Sequence, residues 1–194
     1  MTWIITQRPW TDPVGEALRM AQRAELDLRY GTDDHEPGTP PTADNIDLFL
    51  VAVDEATGQP LGCAALRRLD PVTVEVKRMY VVPKSRGSGL ATDLLRGLEE
   101  AARERGWTTI RLETGPGQPD AMRFYEREGY RQIPLFGAYV GSDHSVCYER
   151  VLPDESPGRS PQRGSDHAVA APDLDPRRRP PYEGRAGGRT ARVR

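Results

Sequence analysis

Along the first 152 positions, short runs of apolar residues typical of strands alternate with apolar residues at helical spacing. This pattern predicts strands interleaved with helices. Runs rich in branched and aromatic residues predict seven strands, at residues 3–8, 48–54, 60–69, 73–82, 108–114, 130–133 and 145–151. Helical spacing predicts three helices, at about residues 13–29, 90–106 and 120–128. The order of these elements predicts a mixed α/β domain with a central, largely antiparallel sheet flanked by helices.

The first helix has clear signals at both ends. Asp12 is a favoured N-cap residue, Pro13 suits the first helical position, and Gly31 predicts the stop. Four apolar positions of this helix are predicted to face the core, namely Val14, Leu18, Ala21 and Leu28. The next helix carries its own apolar stripe, at Leu90, Leu94, Leu95 and Leu98.

The connections define the topology. Gly58 lies in the turn of a hairpin that joins the second and third strands. The fourth strand, the second helix and the fifth strand form a crossover that places the two strands parallel. After residue 152 the chain is rich in Pro, Gly, Ser, Arg and Asp with few aliphatic residues. We therefore predict one domain at residues 1–152 and a disordered tail at residues 153–194.

Composition narrows the possible functions. The 194 residues include 27 basic and 29 acidic side chains, and a net charge of −2 indicates no nucleic-acid partner. Cys63 and Cys147 are too few for a disulfide scaffold or a zinc cluster, so both are predicted to be buried, and no metal is expected. With neither a signal-peptide pattern nor a long apolar run, we expect a cytoplasmic protein without a membrane partner.

The candidate chemistry begins at the glycine-rich loop that follows Pro83. Gly87 and Gly89 allow close backbone approach to a ligand, and unpaired amides at the start of the next helix favour a phosphate beside Arg86. The loop lacks the Lys and Ser or Thr of a P-loop. The position of the loop argues against a dinucleotide-binding fold. Glu113, near the end of the next strand, nevertheless keeps that interpretation possible.

Two motifs in this order resemble those of the GNAT acetyltransferase superfamily. The first is Arg/Gln-x-x-Gly-x-Gly/Ala, matched by Arg86, Gly89 and Ala91. The second resembles Asn-x-x-Ala-x-x-Phe-Tyr-x-x-x-Gly-Phe, matched at Gln118, Ala121, Phe124, Tyr125, Gly129 and Tyr130. Gln118 departs from the usual Asn. The resemblance covers roughly residues 3–152.

The resemblance implies acetyl-coenzyme A as the cosubstrate. It implies a bulge that splays the fourth strand from the fifth, with the pantetheine arm bound in the gap. The residues it assigns to cofactor binding are Met79, Tyr80, Val81, Arg86, Gly87, Ser88, Gly89, Leu90, Ala91, Gln118 and Tyr125.

Two residues are predicted to be catalytic. Tyr125 matches the tyrosine that protonates the departing thiolate in the family, or else it is a core aromatic. Glu75 is the candidate base, on a strand face that alternation would have it share with Lys77 and Met79. Otherwise it is a surface carboxylate paired with a neighbouring cation. His144 lies in a loop that could border the acceptor site, but a lone loop histidine is usually only solvated.

The resemblance therefore predicts an N-acetyltransferase that acetylates a primary amine of a small molecule or peptide by direct attack in a ternary complex. A protein N-terminal or lysine acetyltransferase and a non-catalytic acyl-coenzyme A sensor are the alternatives, and a monomer or homodimer is expected. In the family the first helix and the loop after it wall the acceptor site. Acidic residues there could attract the amine, namely Glu25, Asp27, Asp33, Asp34 and Glu36.

Overall fold

A computed structural model describes residues 2–32 and 37–153 of the chain. Within these residues seven strands form one sheet, β1 (Trp3–Gln7), β2 (Leu48–Asp54), β3 (Pro60–Arg68), β4 (Thr73–Val81), β5 (Thr109–Thr114), β6 (Arg131–Ile133) and β7 (Val146–Val151). Three helices flank it, α1 (Pro13–Tyr30), α2 (Leu90–Glu104) and α3 (Pro119–Arg127). The strand order is β1-β2-β3-β4-β5-β7-β6, with β4 and β5 parallel and the other pairs antiparallel. The predicted fold class is confirmed.

Local signals place the element ends well. The Asp12 side chain accepts a hydrogen bond of 2.9 Å from the Gly15 N–H, and Gly31 ends α1 in the left-handed conformation at φ 69°. In the described ranges no helix has the length and apolarity that a bilayer crossing requires. Apart from Pro153, the predicted tail lies outside the described residues, and the domain boundary stays a prediction.

The predicted face of α1 is only partly right. Leu18 is 3% exposed, as expected, but Leu28 is 87% exposed and Ala21 also faces solvent. Gln22 and Leu26 continue the stripe that begins at Leu18, and they line a cleft rather than the core. Because each residue turns the helix by about 100°, Leu28 lies on a different side of the helix from this stripe.

The core has two layers, one on each face of the sheet. The predicted leucines of α2 are all completely buried on one face, while Leu18 packs with Phe49 and Val51 on the other. Cys63 and Cys147 are both buried, which confirms the prediction for these two side chains.

Gly15 is the point of closest contact between α1 and the sheet. A Cβ atom there would lie 2.2 Å from Cε1 of Phe49, whose ring also packs edge-on against Trp10. We expect Gly15→Ala to lower the free energy of unfolding by about 1 to 3 kcal/mol, measured by urea denaturation. The control is Gly97→Ala, because its Cβ would meet only a flexible Leu50 methyl group at 3.1 Å. Equal stability of the two variants would contradict the prediction.

A β-bulge in β4 opens the sheet. Cys63 of β3 pairs with Tyr80 and Ala65 pairs with Lys77, so two residues of β4 oppose one of β3. The first of these two, Arg78, has a φ of 55°. Pairing with β5 ends at Val76, although both strands continue beyond it. The two strands therefore splay apart, as the resemblance implied.

The bulge also corrects one expectation about side-chain direction. Met79 packs against the core cluster that contains Val76 and Val81, on the opposite face from Glu75 and Lys77. The alternation rule fails here because the extra residue at the bulge reverses the faces of every residue after it.

Candidate active site

The gap between β4 and β5 is a cleft that α1 and α3 enclose. Its inner part is a cavity of about 100 Å³. Residues from α1, β4, β5, α3 and the loop before β7 line this part, among them Gln22, Leu26, Lys77, Met79, Glu113, Thr114, Gln118, Tyr125 and His144. An adjoining cavity of about 170 Å³ shares Gln22 and Met79 with the inner part and reaches Arg86. The cleft therefore extends from Arg86, at the start of the glycine-rich loop, to Tyr125.

The glycine-rich loop leaves space in front of its backbone. Gly87 and Gly89 have φ angles of 74° and 99°, and a Cβ atom on either would meet nothing within 4 Å. Ser88 donates its hydroxyl to the Ser85 carbonyl at 2.7 Å, which holds the turn. Leu90 is completely buried, so it can contact a ligand only through its backbone. The loop and the first residues of α2, Leu90 and Ala91, can hold a diphosphate through their backbone amides.

Arg86 is held beside this loop by two contacts. Its Nε donates to the Val81 carbonyl at 3.0 Å, and its Nη2 lies 2.6 Å from Oε2 of Glu25. The hydrogen bond that Arg86 donates to Glu25 raises the pKa of the Arg86 guanidinium. Glu25 also accepts from Arg29 at 3.3 Å, so it orients two cations near the Arg86 end of the cleft. Three of the other predicted acidic residues, Asp33, Asp34 and Glu36, lie outside the described residues.

The β4 edge is contacted directly by α1. Gln22 donates its side-chain amide to the Met79 carbonyl at 2.8 Å, and no described residue pairs with its buried Oε1. Tyr80 and Val81 bury their side chains on opposite faces of the sheet. They can therefore contact a ligand in the cleft only through the backbone. Nothing in the sequence pattern singled out Gln22.

Tyr125 lies at the inner end of the cleft. Its ring is buried against Phe124, Tyr130 and Tyr148, and its hydroxyl has no hydrogen-bond partner among the described residues. Burial raises the pKa of Tyr125 well above its usual value, so the phenol is protonated at neutral pH. The buried Thr114 hydroxyl also lacks a partner in the described part of the chain. Such unpaired polar atoms fit a cleft that holds a polar ligand.

Glu75 is buried beside the cleft rather than lining it. Its carboxylate accepts from Arg67 Nη2 at 2.7 Å and from the Tyr139 hydroxyl. Lys77 donates to the same Tyr139 hydroxyl at 3.0 Å, and Lys77 lines the cleft. Burial, with the nearby charge of Glu75, raises the pKa of Tyr139. Glu75 is thus no surface carboxylate, and a chain of hydrogen bonds connects it to the cleft.

Other cleft residues have weak sequence signals or none. Glu113 ends β5 at the splayed edge and accepts from the Ser145 hydroxyl at 2.8 Å. Its position could have been inferred, because the ends of parallel neighbours meet at one edge of a sheet. Gln118 donates to the Tyr30 hydroxyl at 3.2 Å, and this ring packs on the loop before α3. The structure thus brings Gln118 and His144 to the cleft with Tyr125 and Met79.

Known proteins share both the sequence pattern and the fold. Residues 15–130 match the model of the acetyltransferase (GNAT) family. An IAA acetyltransferase from Azospirillum brasilense is 30% identical over 150 residues, 77% of this chain and 97% of that protein. A solved Klebsiella pneumoniae structure, named an acyl-CoA N-acyltransferase, has a TM-score of 0.66 at 32% identity, covering 78% of this chain and 98% of its own.

A further solved structure shares the fold at lower identity. It is a GNAT family acetyltransferase from Elizabethkingia anophelis with acetyl-CoA bound. Its TM-score is 0.56 at 16% identity, over 77% of this chain and 98% of its own.

Proposed function

This chain belongs to the acetyltransferase (GNAT) family and is an acyltransferase, and we propose that it transfers an acetyl group from acetyl-coenzyme A to a primary amine of a small molecule or peptide. The observation that supports this proposal is the cleft that extends from Arg86, at the start of the glycine-rich loop, to Tyr125. We propose direct attack by the amine, because burial raises the pKa of Cys63 to about 12 and leaves that thiol without nucleophilic character.

Acetyl-coenzyme A supplies an activated acetyl thioester, and the described residues fit it. The backbone amides from Gly87 to Ala91 and the Arg86 side chain would bind its diphosphate. The backbone of residues 79–81 faces the gap that β5 leaves and would bind the pantetheine arm. Gln118 lines both parts of the cleft and would border the path of the pantetheine arm.

Three tasks remain for the protein. The Met79 N–H would polarise the thioester carbonyl, a contribution of about 3 kcal/mol for one such donor. The Tyr125 hydroxyl would give its proton to the departing sulfur. An alkyl amine has a pKa of about 10, so a base must remove a proton before the nitrogen can attack.

We propose Glu75 as this base, acting through a hydrogen-bonded relay. The Tyr139 proton passes to Glu75, a Lys77 proton replaces it on the Tyr139 oxygen, and the neutral Lys77 amine then accepts the proton of the substrate ammonium, so only Glu75 changes its proton count. The contacts that support the relay are the 3.0 Å bond from Lys77 to Tyr139 and the bond from Tyr139 to Glu75. Glu113 is the competing carboxylate, because it lines the cleft itself.

Tyr139→Phe tests the relay without removing a charge. We expect kcat/KM to fall about tenfold at neutral pH and the acidic limb of its pH profile to change, because the proton can no longer reach Glu75. Tyr130→Phe is the matched control, since that hydroxyl also donates to a buried carboxylate, Glu99, at 3.3 Å. Wild-type kinetics for Tyr139→Phe, together with a lost acidic limb in Glu113→Gln, would place the base at Glu113.

The function itself is tested by thiol release from acetyl-coenzyme A across a panel of amines, amino acids, aminoglycosides, polyamines and short peptides. Thermal shift by the cofactor is measured in parallel. Turnover on one class identifies the acceptor, and preference for peptides would favour a protein acetyltransferase. A thermal shift without any turnover would favour an acyl-coenzyme A sensor, while the absence of a shift would contradict the cofactor assignment.

A further inference from the structure

A separate cavity of about 410 Å³ lies between α1 and the bulge of β4. We call it the arginine pocket, and its charged and aromatic lining consists of Trp10, Glu16, Arg19, Arg23, Asp27 and Arg78. Among the described residues, three arginines face two carboxylates there, which leaves one net positive charge. None of these residues takes part in the cofactor contacts or the proton relay proposed above.

Arg19 is the residue of this pocket that most clearly indicates a ligand. Its guanidinium lies 3.8 Å from the centre of the Trp10 ring and 5.0 Å from that of Phe49. Its Nη1 is buried, and no described residue accepts a hydrogen bond from it. Burial, and then the charge of Arg78, lower the pKa of Arg19. A guanidinium with a buried N–H of this kind lacks the acceptor that normally satisfies it.

The neighbouring charges do not supply that anion. Glu16 acts on Arg19 only through space, without an ion pair. Arg23, Asp27 and Arg78 each have other interactions, so the argument depends on Arg19 alone. Arg23 and Arg78 nevertheless add positive potential to the same cavity.

The pocket adjoins the place where acetyl transfer occurs. Arg78 lines both this pocket and the inner cleft, and it directly precedes Met79. On α1, Arg19 lies one turn before Gln22, whose amide contacts the Met79 carbonyl. Three residues of helix rise about 4.5 Å, so Arg19 lies close along α1 to the residue that contacts Met79.

We propose that the arginine pocket binds an anionic group of the acceptor, so that the substrate is an amine that carries a carboxylate, phosphonate or phosphate several bonds from its nitrogen. A planar guanidinium can bind such an oxyanion with two hydrogen bonds. Trp10 covers a face of the guanidinium and would hold it in place, which leaves the N–H edge for the oxyanion. The inference rests on the proposed function, whose acceptor class it narrows.

A matched pair of acceptors tests the inference by kinetics. We expect kcat/KM for 6-aminohexanoate to exceed that for 6-aminohexanamide at least about tenfold, because only the carboxylate pairs with Arg19. In Arg19→Gln this ratio should fall to about one, and Arg19→Lys should keep part of it, since the charge remains. Arg105→Gln is the control, because Arg105 also lies over a tryptophan, Trp107, but outside both cavities.

A binding measurement separates this inference from the proposed function. Calorimetry with N-acetyl-6-aminohexanoate and its amide requires no turnover, so it decides the matter even if no acceptor is acetylated. Tighter binding of the carboxylate, lost in Arg19→Gln and partly kept in Arg19→Lys, supports the anion site. Equal binding of the two compounds to the wild-type protein, or an unchanged preference in Arg19→Gln, would overturn it.

Discussion

Gly89→Val is expected to weaken acetyl-coenzyme A binding at least about 100-fold while the domain keeps a cooperative thermal melt. Gly89 is the N-cap of α2 with a φ of 99°, and open space lies where a side chain would project. In the proposed complex the diphosphate occupies this space. A branched side chain would separate the phosphates from several backbone amides, and losing two charge-assisted hydrogen bonds is enough for this effect. Isothermal titration calorimetry measures the affinity.

The Gly89→Val substitution has two effects, backbone strain and obstruction of the ligand, and a control must separate them. Gly106, at the other end of α2, has a φ of 76° and also leaves open space around a Cβ atom. Gly106→Val should therefore carry a similar strain of about 1 to 2 kcal/mol and a similar loss of melting temperature. It should nevertheless bind the cofactor as the wild-type protein does. Undiminished affinity in Gly89→Val would show that the diphosphate lies elsewhere.

Tyr125→Phe should lower kcat at least about 100-fold and leave the affinity for acetyl-coenzyme A within a factor of two or three. The ring stays packed against Tyr130 and Tyr148, so the pocket keeps its shape. What is lost is the proton for the departing sulfur. Steady-state kinetics and calorimetry on the same variant separate the two effects.

The pH profile gives a second test of this role. Burial raises the pKa of Tyr125, so the acid form persists above the usual phenol pKa of about 10. We therefore expect no alkaline loss of kcat from this group below about pH 10. Tyr148→Phe is the control for loss of a phenol next to Tyr125. The Tyr148 hydroxyl donates to Glu126 at 2.9 Å and has no role in the proposed proton transfer, so this variant should keep the wild-type kcat. A wild-type kcat in Tyr125→Phe would show that the proton comes from elsewhere.

Much of this fold was predictable from local sequence. Asp12 and Gly31 place the ends of α1 because a cap and a left-handed stop depend on the residue itself and its nearest neighbours. The leucines of α2 are buried as their spacing predicts, since a helix repeats along its own length. The glycine-rich loop and the motif around Tyr125 are likewise short, contiguous patterns. They can therefore be recognised in the sequence alone, and they indicate the family.

The tertiary structure alone decided how the site is built. The bulge at Arg78 moves Met79 to the other face, and no local pattern marks a position where strand alternation reverses. Tyr139 reaches Glu75 across 64 residues of sequence, and Gln22 reaches Met79 across 57. These contacts depend on how the helices and strands pack against one another. The spacing of residues along the chain does not predict that packing. The sequence by itself therefore determined the family and the elements, while packing between elements determined which side chains meet in the cleft.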